Sequence, residues 1–190
     1  MSERVFVESI AGEYRRYHAS AEGALAQLQD SELCAPPPGG GNSIAVIVWH
    51  VGGNFASRFT DFLTSDGEKP WRNREEEFDD RQVTRAELAA KWESGWRPLA
   101  DTLAALTDAD LTRTITIRGQ ELTVHAALHR SLSHFAYHVG QIVFIAKAFR
   151  GNEWKSLSIP RGGSESYNRA PILDRPPASS EAVRSRVADQ

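Results

Sequence analysis

The chain has a single cysteine, Cys34, so no intrachain disulfide can form, and a reducing compartment fits that usage. It has no run of about 18 apolar residues, which argues against a membrane-spanning helix. Its opening Met1-Ser2-Glu3-Arg4 leads into an amphipathic pattern rather than a basic segment followed by an apolar stretch. A sustained Lys/Arg run is also missing and the formal charge is −3, whereas a dedicated nucleic-acid binder needs a basic face to neutralise phosphates. These absences predict a soluble, cytoplasmic protein whose partners are neither membranes nor nucleic acids.

What is present is bulk for a core. Of 190 residues 41% are hydrophobic, with five Trp and eight Phe, enough for one well-cored domain. Phe6, Ile10, Tyr14, Tyr17, Ala21, Ala24, Leu25 and Leu28 recur at intervals of three and four and predict a first amphipathic helix of roughly 25 residues. The run Ala35-Pro36-Pro37-Pro38-Gly39-Gly40-Gly41 cannot continue it, and Asn42 or Ser43 offers the next cap. A second helix then carries Ile44, Val48, Val51, Phe55, Phe59 and Phe62 on its apolar stripe, with His50, Asn54, Ser57, Arg58 and Asp61 along one flank. Its Gly52-Gly53 pair costs about 1 kcal/mol per glycine relative to alanine. Close approach of another helix or a ligand would compensate.

From Thr64 to Arg81 turn residues and mixed charge replace any apolar period, which marks a long connection, either functional or a solvated linker. Thr84-Arg85-Ala86-Glu87 fits a capping box, and Leu88, Trp92, Trp96, Leu99, Leu103 and Leu106 predict a third helix, bent near Pro98. Thr114 to Ile117 and Glu121 to Val124 alternate around Arg118-Gly119-Gln120, the pattern of a small hairpin. A fourth helix runs from about Val124 to Phe149, with Leu128, Leu132, Phe135, Val139, Ile142 and Ala146 inward and Gly151 just past its end. From Pro171 onward Pro, Ser, Ala and charge dominate, and disorder is expected.

The chemistry concentrates in Ser133-His134-Phe135-Ala136-Tyr137-His138-Val139-Gly140-Gln141. His134 and His138 are four residues apart on a helix, so both imidazoles can reach one metal ion. Another ligand must come from elsewhere, and His50 in Trp49-His50-Val51-Gly52-Gly53-Asn54 is the best candidate. A partly buried surface pair reads the same spacing without a metal, and His125 and His129 form a competing pair that projects from roughly the opposite side of the helix. The mid-helix position of His134 and His138, where packed neighbours can fix ligand geometry, favours them.

Four long amphipathic helices suggest an all-α four-helix bundle, whose metal sites are built from side chains on facing helices. The histidine in Trp49 to Asn54 together with His134-Phe-Ala-Tyr-His138-Val-Gly-Gln141 resembles the DinB/YfiT-like superfamily of metal-binding bundles. Asn42 to Ala45, Ser57 to Leu63, Gly67 to Trp71 and Leu157 to Gly162 resemble a subfamily of unassigned function within it. The resemblance spans roughly residues 5 to 168, leaving 169–190 as a disordered tail. It implies an up-down-down-up bundle, usually a homodimer, with a divalent metal, Zn or Ni, on His50, His134 and His138.

Better-known relatives are thiol transferases using bacillithiol and a mycothiol-dependent maleylpyruvate isomerase, which implies a low-molecular-weight thiol cosubstrate and S-transferase-like group transfer. A non-catalytic metal-binding stress or interaction protein and a metal-hydroxide hydrolase are the alternatives. Three protein ligands with positions left open describe a catalytic rather than a structural zinc-type site. Asn54, Arg58 and Gln141 are the candidates for catalytic groups. Arg58 and Arg161, with Lys69, Arg72 and Arg74, are expected on the pocket rim, where they would receive an anionic thiol or a substrate carboxylate.

Overall fold

A computed structural model describes residues 3–171, and within them the chain is predominantly helical with one small hairpin. The helices are α1 (Val5–Leu25), α2 (Asp30–Leu33), α3 (Ile44–Phe59), α4 (Arg85–Ala105), α5 (Val124–Arg150) and α6 (Ser164–Arg169). The strands β1 (Thr114–Ile117) and β2 (Gln120–Thr123) pair antiparallel, with Ile115 opposite Leu122. The disorder expected for the tail concerns mostly residues outside the described range, although Arg169 closes α6.

Local chemistry sets the boundaries. Ser43 accepts a hydrogen bond from the Val46 amide to open α3, Thr84 and Glu87 form the expected capping box on α4, and Thr123 caps α5 through the Ala126 amide. The first helix is shorter than its periodicity predicts. It ends at Leu25, and the following carbonyls are gathered by Arg85, which donates to Leu25 and Leu28. Phe62 also falls outside its predicted helix. Thr60 turns extended, Asp61 takes φ 50°, and Phe62 still returns to the core from the turn. α4 continues as helix through Pro98.

Helix α3 packs along α4, and α1 along α5; α3 also meets α5, and α1 meets α4. Their shared centre is aromatic. Phe55 of α3 and Phe135 of α5 meet edge to face at 5.0 Å, and Tyr14 of α1 stacks on Phe135 at 6.2 Å. The buried Tyr14 hydroxyl donates to the Leu128 carbonyl at 2.9 Å, so the ring brings no unpaired polar atom into the core. This cluster fixes α3 and α5 relative to each other, and the histidines of both helices lie within five residues of it along the chain.

The two central glycines of α3 prove to serve different neighbours. A Cβ on Gly95 of α4 would lie 2.4 Å from Gly52 Cα, so the two helices touch backbone to backbone there. A Cβ on Gly53 would lie 2.1 Å from Glu77 Oε1. Gly52 therefore admits a helix and Gly53 admits a carboxylate.

The connection after α3 is ordered rather than a loose linker. Ser57 accepts the Lys69 amide and donates to the Gly67 carbonyl, and the Asp66 carboxylate accepts the amides of Glu68, Arg118 and Gly119. Arg118 and Gly119 form the positive-φ turn of the hairpin, so Asp66 fastens the loop to that turn. Further on, a single 3₁₀ turn, Glu75–Phe78, carries Glu77 against α3.

Candidate metal centre

Three imidazoles converge between α3 and α5. His134 Nε2 lies 3.2 Å from His50 Nε2 and 3.1 Å from His138 Nε2, and one nitrogen from each ring falls within 4.8 Å of the others. Two ligand nitrogens about 2.0–2.1 Å from one tetrahedral ion stand about 3.3 Å apart, so the observed spacing fits such an ion with little adjustment. His50 is buried, whereas His134 and His138 are half-buried.

The far side of two rings is held. His50 Nδ1 stands 2.9 Å from Glu77 Oε2, and His138 Nδ1 stands 2.7 Å from Gln141 Oε1. A carboxylate and an amide oxygen only accept, so each Nδ1 carries a proton, and a ring that holds a metal turns an unprotonated Nε2 toward the centre. A single proton on His134 Nε2 could be directed at only one of those two acceptors. At least one Nε2 lone pair is then left without a donor, an arrangement that a cation in the middle relieves. Burial is the largest influence lowering the His134 pKa, and His138, His50, Arg72 and Arg58 add to it, bringing the ring down to about 3. Burial likewise lowers His138 against the opposing bond from Gln141. Those two rings are neutral at pH 7, the form a metal requires.

Glu77 is the residue that sequence reasoning missed. Its own carboxylate is clamped by Arg72, whose Nε and Nη2 donate to Oε1 and Oε2 at 2.8 Å each. Burial raises the Glu77 pKa, but the bonds from Arg72 and His50 outweigh it and hold the group below the usual carboxylate range. The only sequence signal was a Gly53 without a partner and a cluster of acids in a connection without periodicity.

The expected rim is redistributed. Arg72 is committed to Glu77 with a side chain only 2% exposed, and buried Lys69 donates to Ser65 Oγ and the Asp66 carbonyl, so neither faces a ligand. Arg74 pairs with Glu75 in solvent, and Arg161 is exposed on the segment before α6. Asn54 and Arg58, in contrast, line a cavity of about 130 Å³ together with Phe59, Phe62, Ile117, Ala127, Arg130, Ser131 and His134. His134 is thus shared between this cavity and the histidine cluster. A larger open groove of about 640 Å³ runs beside α4 past Glu93, Arg97 and Asp101, and none of the three histidines lines it. Size alone would choose the groove; the chemistry lies at the smaller cavity.

His125 and His129 lie 4.2 Å apart with their rings tilted by 55° on the exposed side of α5, and neither belongs to the cluster that His134 and His138 form with His50. Gln141, predicted as a catalytic candidate, instead contacts His138 from behind.

Fold and site together define a mostly helical protein with a three-histidine cluster able to hold a metal ion. A family model described as a protein of unknown function (DUF1572) matches residues 2–163. The chain belongs to that family, which lies within the DinB-like superfamily. No curated protein and no solved structure matches it. Among the described residues no helix is long and apolar enough to cross a membrane.

Proposed function

We propose that this protein is a metal-dependent enzyme of the four-helix-bundle type, up-down-down-up in order, in which His50, His134 and His138 hold one divalent ion, Zn or Ni. The observation that carries the reading is the convergence of three Nε2 atoms with two of the rings locked from behind by Glu77 and Gln141. Imidazole donors suit either metal, and three ligands leave a position open for chemistry.

The reaction we propose joins a small thiol to an electrophilic substrate: the thiolate sulfur forms a bond to the electrophilic carbon, the leaving group departs with the electron pair of the bond that breaks, and the thiol proton passes to solvent. A divalent ion at this site supplies positive charge that favours the deprotonated, nucleophilic form of a thiol. The chain's own residues do the rest. His134 opens on the cavity, so a thiol lying there reaches the cluster, while Phe59, Phe62 and Ile117 limit water around it. Glu77 and Arg72 keep His50 from turning, and Gln141 does the same for His138. Likeness to thiol transferases of the superfamily favours a thiol over water as nucleophile.

The test is metal analysis of protein purified without an affinity tag, followed by incubation with monochlorobimane and bacillithiol, mycothiol, glutathione or cysteine. One equivalent of metal, lost in the His50→Ala, His134→Ala and His138→Ala proteins and retained in His125→Ala and His129→Ala, supports the site. A metal-dependent thiol-conjugation rate absent from His50→Ala supports the transferase. Bound metal without any such rate leaves a binding protein, and a thiol-independent hydrolytic rate replaces the transfer reaction by hydrolysis.

A further inference from the structure

We infer that the cavity beside the histidines selects a small carboxylate, with Arg130 as the residue that binds it. This inference rests on the proposed function, because it names the substrate class of that same site.

The cavity wall is divided. Phe59, Phe62, Ile117 and Ala127 make one side apolar, and Asn54, Arg58, Arg130, Ser131 and His134 supply its polar atoms. The two arginines differ in what they have left to offer. Arg58 donates through Nη1 and Nη2 to Glu68 Oε2 at 3.1 Å and also to the Gly67 carbonyl, so its charge is already answered. Arg118 draws on the same Glu68 oxygen at 2.8 Å. Among the described residues Arg130 pairs with no carboxylate, although ion pairs engage most arginines of the chain. The cavity lining itself thus carries two guanidinium groups, Arg58 and Arg130, and no carboxylate, and of the two only Arg58 is answered, by Glu68 from outside the lining. That excess favours an anion, and a planar fork binds a carboxylate through two parallel bonds.

Position on the helix sets the ligand's length. Arg130 and His134 are one turn apart on α5, about 6 Å along the axis, and share the wall, so a ligand that reaches both is a short one. Volume sets its bulk: about 130 Å³ is the share of about four liquid waters and well below the ~300 Å³ at which pockets for drug-sized ligands begin. A short thiol acid fits within these limits, with its carboxylate on Arg130, its methylenes against Phe59 and Phe62, and its sulfur at His134. A larger thiol would place only its head inside.

Calorimetric titration with 3-mercaptopropionate and with its uncharged methyl ester tests the assignment on wild-type, Arg130→Ala and Arg130→Lys proteins, each with its metal content measured. Arg130 is exposed on α5, so its removal leaves the core intact. The wild type is expected to bind the acid at least about tenfold more tightly than the ester. Arg130→Ala should lose that ratio while binding the ester as before, and Arg130→Lys should keep part of it. Equal affinity for acid and ester in a fully metallated wild type, or an unchanged ratio in Arg130→Ala, overturns the inference and leaves the metal site standing. An Arg130-dependent preference for the acid in protein that binds no metal does the reverse, upholding the carboxylate site while removing the proposed function.

Discussion

His50 and Glu77, 27 residues apart, form a buried pair in which Nδ1–H donates to Oε2 at 2.9 Å, and Arg72 completes the row from the other side. An imidazole held this way has a fixed tautomer and a fixed direction. Partners behind a metal-binding histidine typically contribute 10- to 100-fold in metal affinity. Glu77→Gln is therefore expected to weaken zinc binding by about that factor in competition with a chromophoric chelator. It also strands the Arg72 charge, whose burial without a partner costs about 3–5 kcal/mol and should lower the melting temperature. The double variant Arg72→Met/Glu77→Gln separates the effects: thermal stability should recover while zinc affinity stays low. Wild-type affinity in both variants would mean that Glu77 serves folding alone.

Gly53 tests the same pair through the backbone. A methyl group there would overlap Glu77 Oε1 at 2.1 Å and its Cδ at 2.7 Å, so Gly53→Ala must push the carboxylate from His50. The expected result is overpacking of about 1–3 kcal/mol together with a loss of zinc affinity like that of Glu77→Gln. Gly95→Ala, which would meet the Gly52 Cα at 2.4 Å, should lower the melting temperature by forcing α3 from α4, with less effect on zinc binding per degree lost. Both are read by thermal denaturation and chelator competition on the same preparations.

The triad was legible because it depends on local geometry. A four-residue interval on a periodic helix places His134 and His138 together whatever the rest of the chain does, and His50 lay on the edge of another apolar stripe. The hairpin and the α3 and α4 caps were legible for the same reason: turn and cap residues act on their immediate neighbours. Glu77 was not, because its contact with His50 closes a long connection whose register no hydrophobic period specifies. Arg72 and Lys69 left the expected rim for a related cause, while Arg58 stayed at the cavity. Positive charge in a loop says nothing about which carboxylate will answer it, and Arg72 and Lys69 were answered within their own segment. Arg130 had a signal in hand, one turn before His134, but only the return of Phe62 and the docking of Ile117 turned that flank into a cavity. The paired glycines promised a close approach, and the structure divided it between a helix and a carboxylate.

Asp66 makes the docking of the hairpin dependent on pH. The amides of Gly119 and Glu68 are the largest influences lowering its pKa, and the Arg118 amide adds to them. A carboxyl whose folded pKa is depressed stabilises the fold above its unfolded value, about 3.9, and loses that contribution as pH falls through the folded value. Asp66→Asn should therefore melt at a lower temperature than wild type at pH 7, and the gap should narrow on acidification from pH 5 toward pH 2. A gap independent of pH would show that the Asp66 charge is not what holds the loop to the turn.

The last expectation is that two copies associate through α5. Tyr137 and Phe144 are 65% and 73% exposed, and Gly140 between them has open space above it, so an aromatic strip with a flat centre faces outward over two turns. Aromatic side chains supply large contact area in interfaces, and a glycine at the middle lets a second helix come near. Tyr137 also packs edge to face on His138 at 5.2 Å, so covering the strip would hold that ring on its outer side as Gln141 holds it from behind. Light scattering at micromolar concentration is expected to report about twice the chain mass of 21.0 kDa. Phe144→Glu should return the mass to that of one chain, because a carboxylate within an apolar contact must be desolvated without a partner. Its zinc content should remain at one equivalent, since Phe144 lies outside the triad. A wild-type protein with the mass of one chain would remove the association, and a Phe144→Glu protein that still runs as a dimer would move the interface to another face.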